Sequence, residues 1–207
     1  YHSNHWSEVA YSENGETWTK TNIQSNSFAP RTGHQLVEFN DSTWLIGGST
    51  QPGINSQVAS ASLKNDVWRS SDGKTWELQL ENAPFSARRD HQVTSFNGAL
   101  WLVGGYDGEY KNDIWKFDGN QWMEITQNGA NTFPPVAHHQ VFVAKDALWL
   151  IGGNTTDNSL NSYIWYSQDG RAWRAFFYSN EYSDIRTRHQ AVTSNDGESV
   201  WVFAGKD

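Results

Sequence analysis

Apolar residues in this chain come in short runs of about four to eight positions, separated by clusters of Gly, Asn, Asp, Ser and Thr. No window sustains the 3.6-residue period of an amphipathic helix. Runs of this length bounded by turn residues predict β-strands. The first case is SEVAYSENGETW, residues 7–18, where Asn14-Gly15 predicts a tight hairpin turn. A hairpin alone is marginal in water, so its strands, about 8–11 and 17–23, require a larger sheet.

The pattern recurs. The turn returns as SSDGKTW (70–76), KFDGNQW (116–122) and SQDGRAW (167–173), which places its glycines at 15, 73, 119 and 170 with steps of 58, 46 and 51. His-Gln pairs begin at 34, 91, 139 and 189, with steps of 57, 48 and 50. Trp followed by apolar residues and glycine gives WLIGG (44–48), WLVGG (101–105), WLIGG (149–153) and WVFAG (201–205). Eleven of the twelve Trp fall on this lattice; Trp6 stands off it, and Ala10 replaces one expected Trp. Independent markers sharing a step of about 50 residues indicate a propeller-type repeat.

Each repeat predicts four strands, a to d. In the second full repeat they run about 91–96, 99–103, 113–117 and 121–125, with a longer loop between b and c. Strands a and b are apolar on both faces, as Val93 and Phe96 or Trp101 and Leu102 show. Such strands need cover on both sides. A sheet packed between two like sheets has it, and that is a propeller blade.

The segments RTGHQLVEFN, TWLIGG and LKNDVWRSSDGKTW of the first repeat resemble a kelch repeat of the galactose-oxidase-like β-propellers. The family pattern is Arg-x-x-His near strand a, a di-glycine ending strand b, and a Trp in strands c and d. The resemblance spans nearly the whole chain. The third repeat departs, with Val136 for Arg and Tyr163 for Asp, and the fourth has Ala204-Gly205 for Gly-Gly. The expected fold is all-β: a β-propeller of four-stranded antiparallel blades in a single domain, 1–207. Blade 1 covers about 31–81, blade 2 about 88–127 and blade 3 about 136–178; blade 4 is split between 1–24 and 186–207. In that blade the N-terminal c/d strands pair with the C-terminal a/b strands and close a ring of four. The alternative is an open fragment of a wheel with more blades.

One pattern favours closure. Three positions before each repeat His stand Arg31, Arg88, Val136 and Arg186, while strand c opens on Asp66, Asp113, Tyr163 and, with closure, Glu8. Arg goes with an acid, and Val goes with Tyr. This predicts a bidentate Arg–carboxylate bridge in three blades and an apolar contact in the other.

Composition narrows the function. The 207-residue chain carries a net charge of −8, which argues against nucleic-acid or anionic-membrane binding. It has no apolar run long enough for membrane insertion. It lacks Cys, hence any disulfide, thiolate metal site or Cys nucleophile. It begins at Tyr1 rather than Met, which reads as a processed product or an excised domain, a monomer or part of a larger chain. The compartment stays open, with an extracellular, periplasmic or cell-surface setting favoured.

Strand order gathers the d-to-a and b-to-c loops at one end of the axis. There lie His34, His91, His139 and His189, the loops at about 49–64, 106–111 and 154–161, and residues 1–7. Five of eight Arg (Arg31, Arg88, Arg89, Arg186 and Arg188) fall within three residues before a repeat His, and His138, His2 and His5 join them. Two readings stay open. In one, Arg31, Arg88 and Arg186 are neutralised by acids, and the repeat histidines line the channel as structural groups, bonded to backbone and packed on Trp. In the other, Arg89, Arg188 and His138, at positions not repeated in kind, grip a carboxylate, sulfate or phosphate. Tyr106, Tyr110 and Tyr163 would then stack on a sugar ring. A metal held by the four histidines is not expected, since channel-lining side chains stand too far apart; no cofactor is expected either. Asp72, Asp118 and Asp169 resemble a sialidase Asp-box, but that motif has one more residue before Gly, so they read as turn residues. Asp107-Gly108-Glu109 lacks the ligand spacing of a calcium loop.

The leading expectation is a non-catalytic interaction module that offers loops on one face to a protein or glycan ligand, anionic ligands included. No catalytic elbow, zinc pair or phosphate loop is present in the sequence. The alternatives are a carbohydrate-active enzyme similar to the sialic-acid epimerases, which use a kelch-type propeller, and a purely architectural domain of a larger secreted protein. Galactose-oxidase chemistry is not implied, because the thioether-forming Cys is missing.

Overall fold

In a computed structural model of the chain, residues 9–21, 27–51, 59–127, 132–156, 159–176, 186–194 and 196–205 are described. They form two compact units, Tyr1–Arg89 and Asp90–Asp207. Among the described residues the regular structure is all β apart from one short 3₁₀ turn, Ser60–Ser62, in the first unit.

The first unit opens with a hairpin, β1 (Val9–Tyr11) and β2 (Thr19–Thr21), which makes a two-stranded sheet. Asn14 Oδ1 shapes the turn by accepting from the Glu16 and Thr17 amides, both at 3.0 Å. Next comes a four-stranded antiparallel sheet in chain order: β3 (Gln35–Phe39), β4 (Ser42–Ser49), β5 (Leu63–Ser70) and β6 (Glu77–Leu80). Phe28, Leu45 and Trp76 pack together on it, with Trp76 edge-on to Phe28 at 5.2 Å.

The second unit holds two further four-stranded sheets. One contains β7 (Gln92–Phe96), β8 (Ala99–Tyr106), β9 (Tyr110–Phe117) and β10 (Trp122–Glu124). The other contains β12 (Gln140–Ala144), β13 (Ala147–Ile151), β15 (Ile164–Ser167) and β16 (Arg174–Phe176). Short strands β11 (Val136–Ala137) and β14 (Asn154–Thr155) pair beside them, and β17 (Gln190–Thr193) pairs with β18 (Val200–Phe203). The core joins the two large sheets: Val103 and Ile114 from one meet Leu148, Leu150 and Trp165 from the other, and all are buried. Strand β12 touches both β7 and β17, so the innermost strands of successive repeats are neighbours.

The predicted strands of the second repeat are present, but b and c run further than expected. Beyond a bulge near Gly104, pairing continues through Gly105↔Lys111 to Tyr106↔Tyr110, and only Asp107-Gly108-Glu109 remains as a turn. Two contacts hold the extension. The tyrosine rings meet edge to face at 5.4 Å, and Lys111 Nζ reaches Asp107 at 3.0 Å.

The tryptophans explain the regularity. The strand-b Trp bonds back to the preceding turn: Trp44 Nε1 donates to Phe39 O, Trp101 to Phe96 O and Trp149 to Ala144 O, at 2.9–3.0 Å. Its ring is covered by the residue opposite on strand c. Arg69 lies over Trp44, Lys116 over Trp101, and Tyr166 stacks on Trp149 at 5.1 Å. Two tryptophans differ: Trp18 is 66% exposed and Trp201 is 60% exposed. They belong to the two hairpins, β1–β2 and β17–β18, that the sequence reading joins into one blade. Among the described residues each hairpin is a separate two-stranded sheet.

Candidate functional site

The two glycines ending strand b and the repeat His form one packing device. Built on the first glycine, a Cβ would meet the His ring of the next repeat: 3.0 Å from His139 Cε1 at Gly104, and 2.6 Å from His189 Cε1 at Gly152. On the second glycine it would meet the His Cβ of the same repeat, at 2.8 Å for Gly48 and His34, 2.7 Å for Gly153 and His139, and 2.9 Å for Gly205 and His189. His139 and His189 are buried, and among the described residues none of their ring nitrogens has a hydrogen-bond partner. The carbonyls of Val103 and Arg186 face them and only partly oppose the effect of burial. Burial, helped by His138 and His189, pushes His139 down to about 3. Burial first, and then the charge of Arg31, lowers His34; burial also lowers His189. These imidazoles are neutral spacers.

The residue immediately before each repeat His has a second shared feature. Gly33, Asp90, His138 and Arg188 take left-handed backbone, with φ of +64, +58, +58 and +56. Left-handed backbone is uncommon outside glycine, and it marks a position worth examining for function. In the second unit these positions are linked. The His138 amide donates to Asp90 O at 3.1 Å, and the Arg188 amide to His138 O at 3.0 Å. Side chains follow: His138 Nε2 lies 3.1 Å from Asp90 Oδ2, and Arg188 is exposed. His138 and Arg188 thus occupy equivalent places, which sequence reading missed; their shared offset from the repeat His was the available signal.

The other candidates sort by burial. Arg31 is buried and bidentate on Asp66, at 2.6 and 2.9 Å, with Nη1 also donating to Gly47 O at 2.9 Å. Arg88 is buried, donates to the Ser86 carbonyl and hydroxyl at 3.1 and 2.9 Å, and lies over the Phe85 ring. Arg89 is only 5% exposed. Arg186 Nη1 donates to Ala204 O at 3.1 Å. Its expected partner Glu8 lies outside the described residues, as do His2, His5, Trp6 and the middle of the first long loop. Tyr106 and Tyr110 are half-buried on one another, whereas Tyr163 is 37% exposed. Asp72, Asp118 and Asp169 each accept two turn amides at 2.7–2.9 Å, so they are turn residues; two of these bonds help hold the Asp72 carboxyl at about 2.

The third repeat is built differently. In the first, Asp66 accepts from Trp68 Nε1 at 2.8 Å; in the second, Asp113 does the same for Trp115 at 2.8 Å. In the third, Tyr163 occupies that position, and Trp165 Nε1 donates instead to Asn161 Oδ1 at 3.3 Å. The buried Asn161 amide also donates to the carbonyls of Gly152 and Tyr163. Val136, in the place of Arg, is buried against Gly153. Beside this rearrangement lies an open groove of about 470 Å³, lined by Pro134, Thr155, Thr156, Ser159, Leu160, Asn161, Ser162 and Tyr163. Among the described residues no group of three or more His, Asp or Glu could hold a metal, and no helix is long and apolar enough to cross a membrane.

A family model for the DUF6242 beta propeller domain matches residues 11–207. The leucine-zipper-like transcriptional regulator 1 homolog of Drosophila melanogaster is 26% identical over 179 residues, covering 84% of this chain and 18% of that protein. The human leucine-zipper-like transcriptional regulator 1 is 25% identical over 118 residues, 53% of this chain and 14% of that protein. Acyl-CoA-binding domain-containing protein 4 of Arabidopsis thaliana is 25% identical over 210 residues, 98% of this chain and 29% of that protein. The chain thus spans less than a third of each of these relatives.

Proposed function

Since the chain belongs to the DUF6242 beta propeller domain family, we propose that it is a non-catalytic binding module of kelch type, which offers the end where its innermost strands begin to a protein or glycan ligand. One observation carries this reading. Four backbone positions of the same left-handed shape bear four unlike side chains, Gly33, Asp90, His138 and Arg188, next to the repeat His. A fixed frame with variable side chains is how repeat scaffolds bind. Arg188, exposed and cationic, makes an anionic group on the ligand the best match. The relatives support a modular role, because the matching region is a minor part of each.

The reading includes a ring of four blades, the last completed by β1–β2 and β17–β18. Its support is the exposure of Trp18 and Trp201, whose counterparts Trp76, Trp122 and Trp173, and Trp44 and Trp101, are buried. Function is tested by screening sulfated, carboxylated and neutral glycans against the wild type, Arg188→Ala and His138→Asn. Wild-type binding of an acidic glycan, weakened at least about tenfold by Arg188→Ala, is expected. Equal or negligible binding by wild type and Arg188→Ala overturns the reading.

A further inference from the structure

We propose that the groove of the third repeat is a second binding site, and that it takes a neutral pyranose sugar against Tyr163. The proposal rests on the reading of the chain as a binding module, but it uses residues away from Arg188.

The groove borders the point where the repeat changes. In the first repeat the position of Tyr163 is held by Asp66, which is bridged to Arg31 and also holds Trp68. The third repeat hands the Trp165 hydrogen bond to Asn161, two residues upstream of the usual acid. Position 163 is thereby relieved of that structural task, and an aromatic side chain stands there, partly in solvent. Its ring is steadied edge-on by Trp165, with centroids 5.9 Å apart and planes at 61°. A rigid, half-exposed aromatic loses little freedom on binding.

The lining selects the ligand. None of its eight described lining residues is charged, so among them an anion would find no partner to offset its desolvation. Pro134, Leu160 and Tyr163 supply apolar surface, while Thr156 and Ser162 supply hydroxyls, that of Ser162 donating to Leu160 O at 3.3 Å and accepting from a ligand; the hydroxyls of Thr155 and Ser159 are bonded to each other at 2.7 Å. A pyranose has the same division, with a C–H face for the ring and hydroxyls around its edge. The volume, about 470 Å³, lies in the range of small-ligand sites.

The test titrates the whole chain with cellobiose, maltose, lactose and chitobiose, following backbone amide shifts and comparing wild type with Tyr163→Ala, Tyr163→Phe and Arg188→Ala. At least one disaccharide should shift the amides of Leu160, Ser162 and Tyr163. Tyr163→Ala should weaken binding by about tenfold or more, Tyr163→Phe by no more than about threefold, and Arg188→Ala should leave groove binding unchanged. Near-ultraviolet circular dichroism checks that each variant is folded, and Tyr163→Leu takes the place of the alanine variant should that one not fold. The proposal is overturned if no neutral disaccharide shifts these amides, if Tyr163→Ala or, should that variant misfold, Tyr163→Leu binds as well as wild type, or if a proline-rich peptide is the only probe that binds. Loss of acidic-glycan binding in Arg188→Ala alongside intact groove binding would separate the two sites.

Discussion

Gly152 lies against the imidazole of His189 so closely that a Cβ on the glycine would stand 2.6 Å from Cε1, with the Arg186 carbonyl nearer still. Gly152 also has φ +60, where an L side chain is strained. Gly152→Ala should therefore lower stability by about 2–4 kcal/mol, read as a fall in the denaturant midpoint. Gly73→Ala, at φ +68 but with open space around its Cβ, isolates the backbone part at about 1–2 kcal/mol. Equal losses at the two glycines would mean that the His ring yields easily and does not fix the spacing of the sheets.

The buried histidines predict a dependence on pH. His139 is held down to about 3, and His34 and His189 are lowered as well, chiefly by burial. Below about 6.5 the unfolded chain takes up protons that the folded chain refuses, so stability is complete above that value and falls with pH toward the folded pKa. For His139 alone the slope approaches about 1.4 kcal/mol per pH unit. The turn carboxylates contribute only below their ordinary range, as Asp72 at about 2 illustrates, so the window from about 6.5 to 4.5 isolates the imidazoles. Urea midpoints across that window should fall steadily, and His139→Gln should flatten the curve.

The Arg31–Asp66 bridge is buried on the arginine side and geometrically demanding. Removing its cation leaves Asp66 with Trp68 Nε1 but without its counter-charge. Arg31→Ala should be destabilising by about 3–5 kcal/mol. Arg31→Lys should recover only part of this, since an ammonium cannot form both bonds of the fork and also reach Gly47 O. Thermal unfolding of the three proteins ranks them, and a lysine variant equal to wild type would show that charge alone suffices.

The proposed ring closure would have a definite register. In three repeats the strand-b Trp faces the residue that covers it: Trp44 with Arg69, Trp101 with Lys116 and Trp149 with Tyr166. The same offset, carried to the split blade, proposes Tyr11 opposite Trp201. The chain has no Cys, so a Tyr11→Cys/Trp201→Cys pair can bond only to itself or to another copy. Residues facing each other across antiparallel strands stand at a separation a disulfide accepts. Mild oxidation should give a monomeric cross-linked product on gels. Exclusively dimeric product, or none, would remove closure from the account.

Much of the architecture could be read in advance because it is periodic. The Asp-Gly turns, the strand-b tryptophans and the Arg31–Asp66 bridge all follow from residues recurring in phase. What escaped depends on contacts between sheets or on exceptions to the period. The complementarity of Gly104 with His139 joins two repeats through residues 35 positions apart, and neither residue advertises the other. Asn161 was silent because no other repeat uses its position in that way. Tyr106 and Tyr110 looked like loop tyrosines until pairing carried the strands out to meet them.

The left-handed residue ahead of each repeat His limits what a redesigned surface can carry. Branched side chains such as Val, Ile and Thr are poorly tolerated in that backbone, whereas Gly, Asn, Asp and His accept it more readily. A randomised library at 90, 138 and 188 would therefore survive folding with a narrow alphabet, and retargeting these linked positions by mutagenesis would depend more on flanking loops than on the three sites themselves.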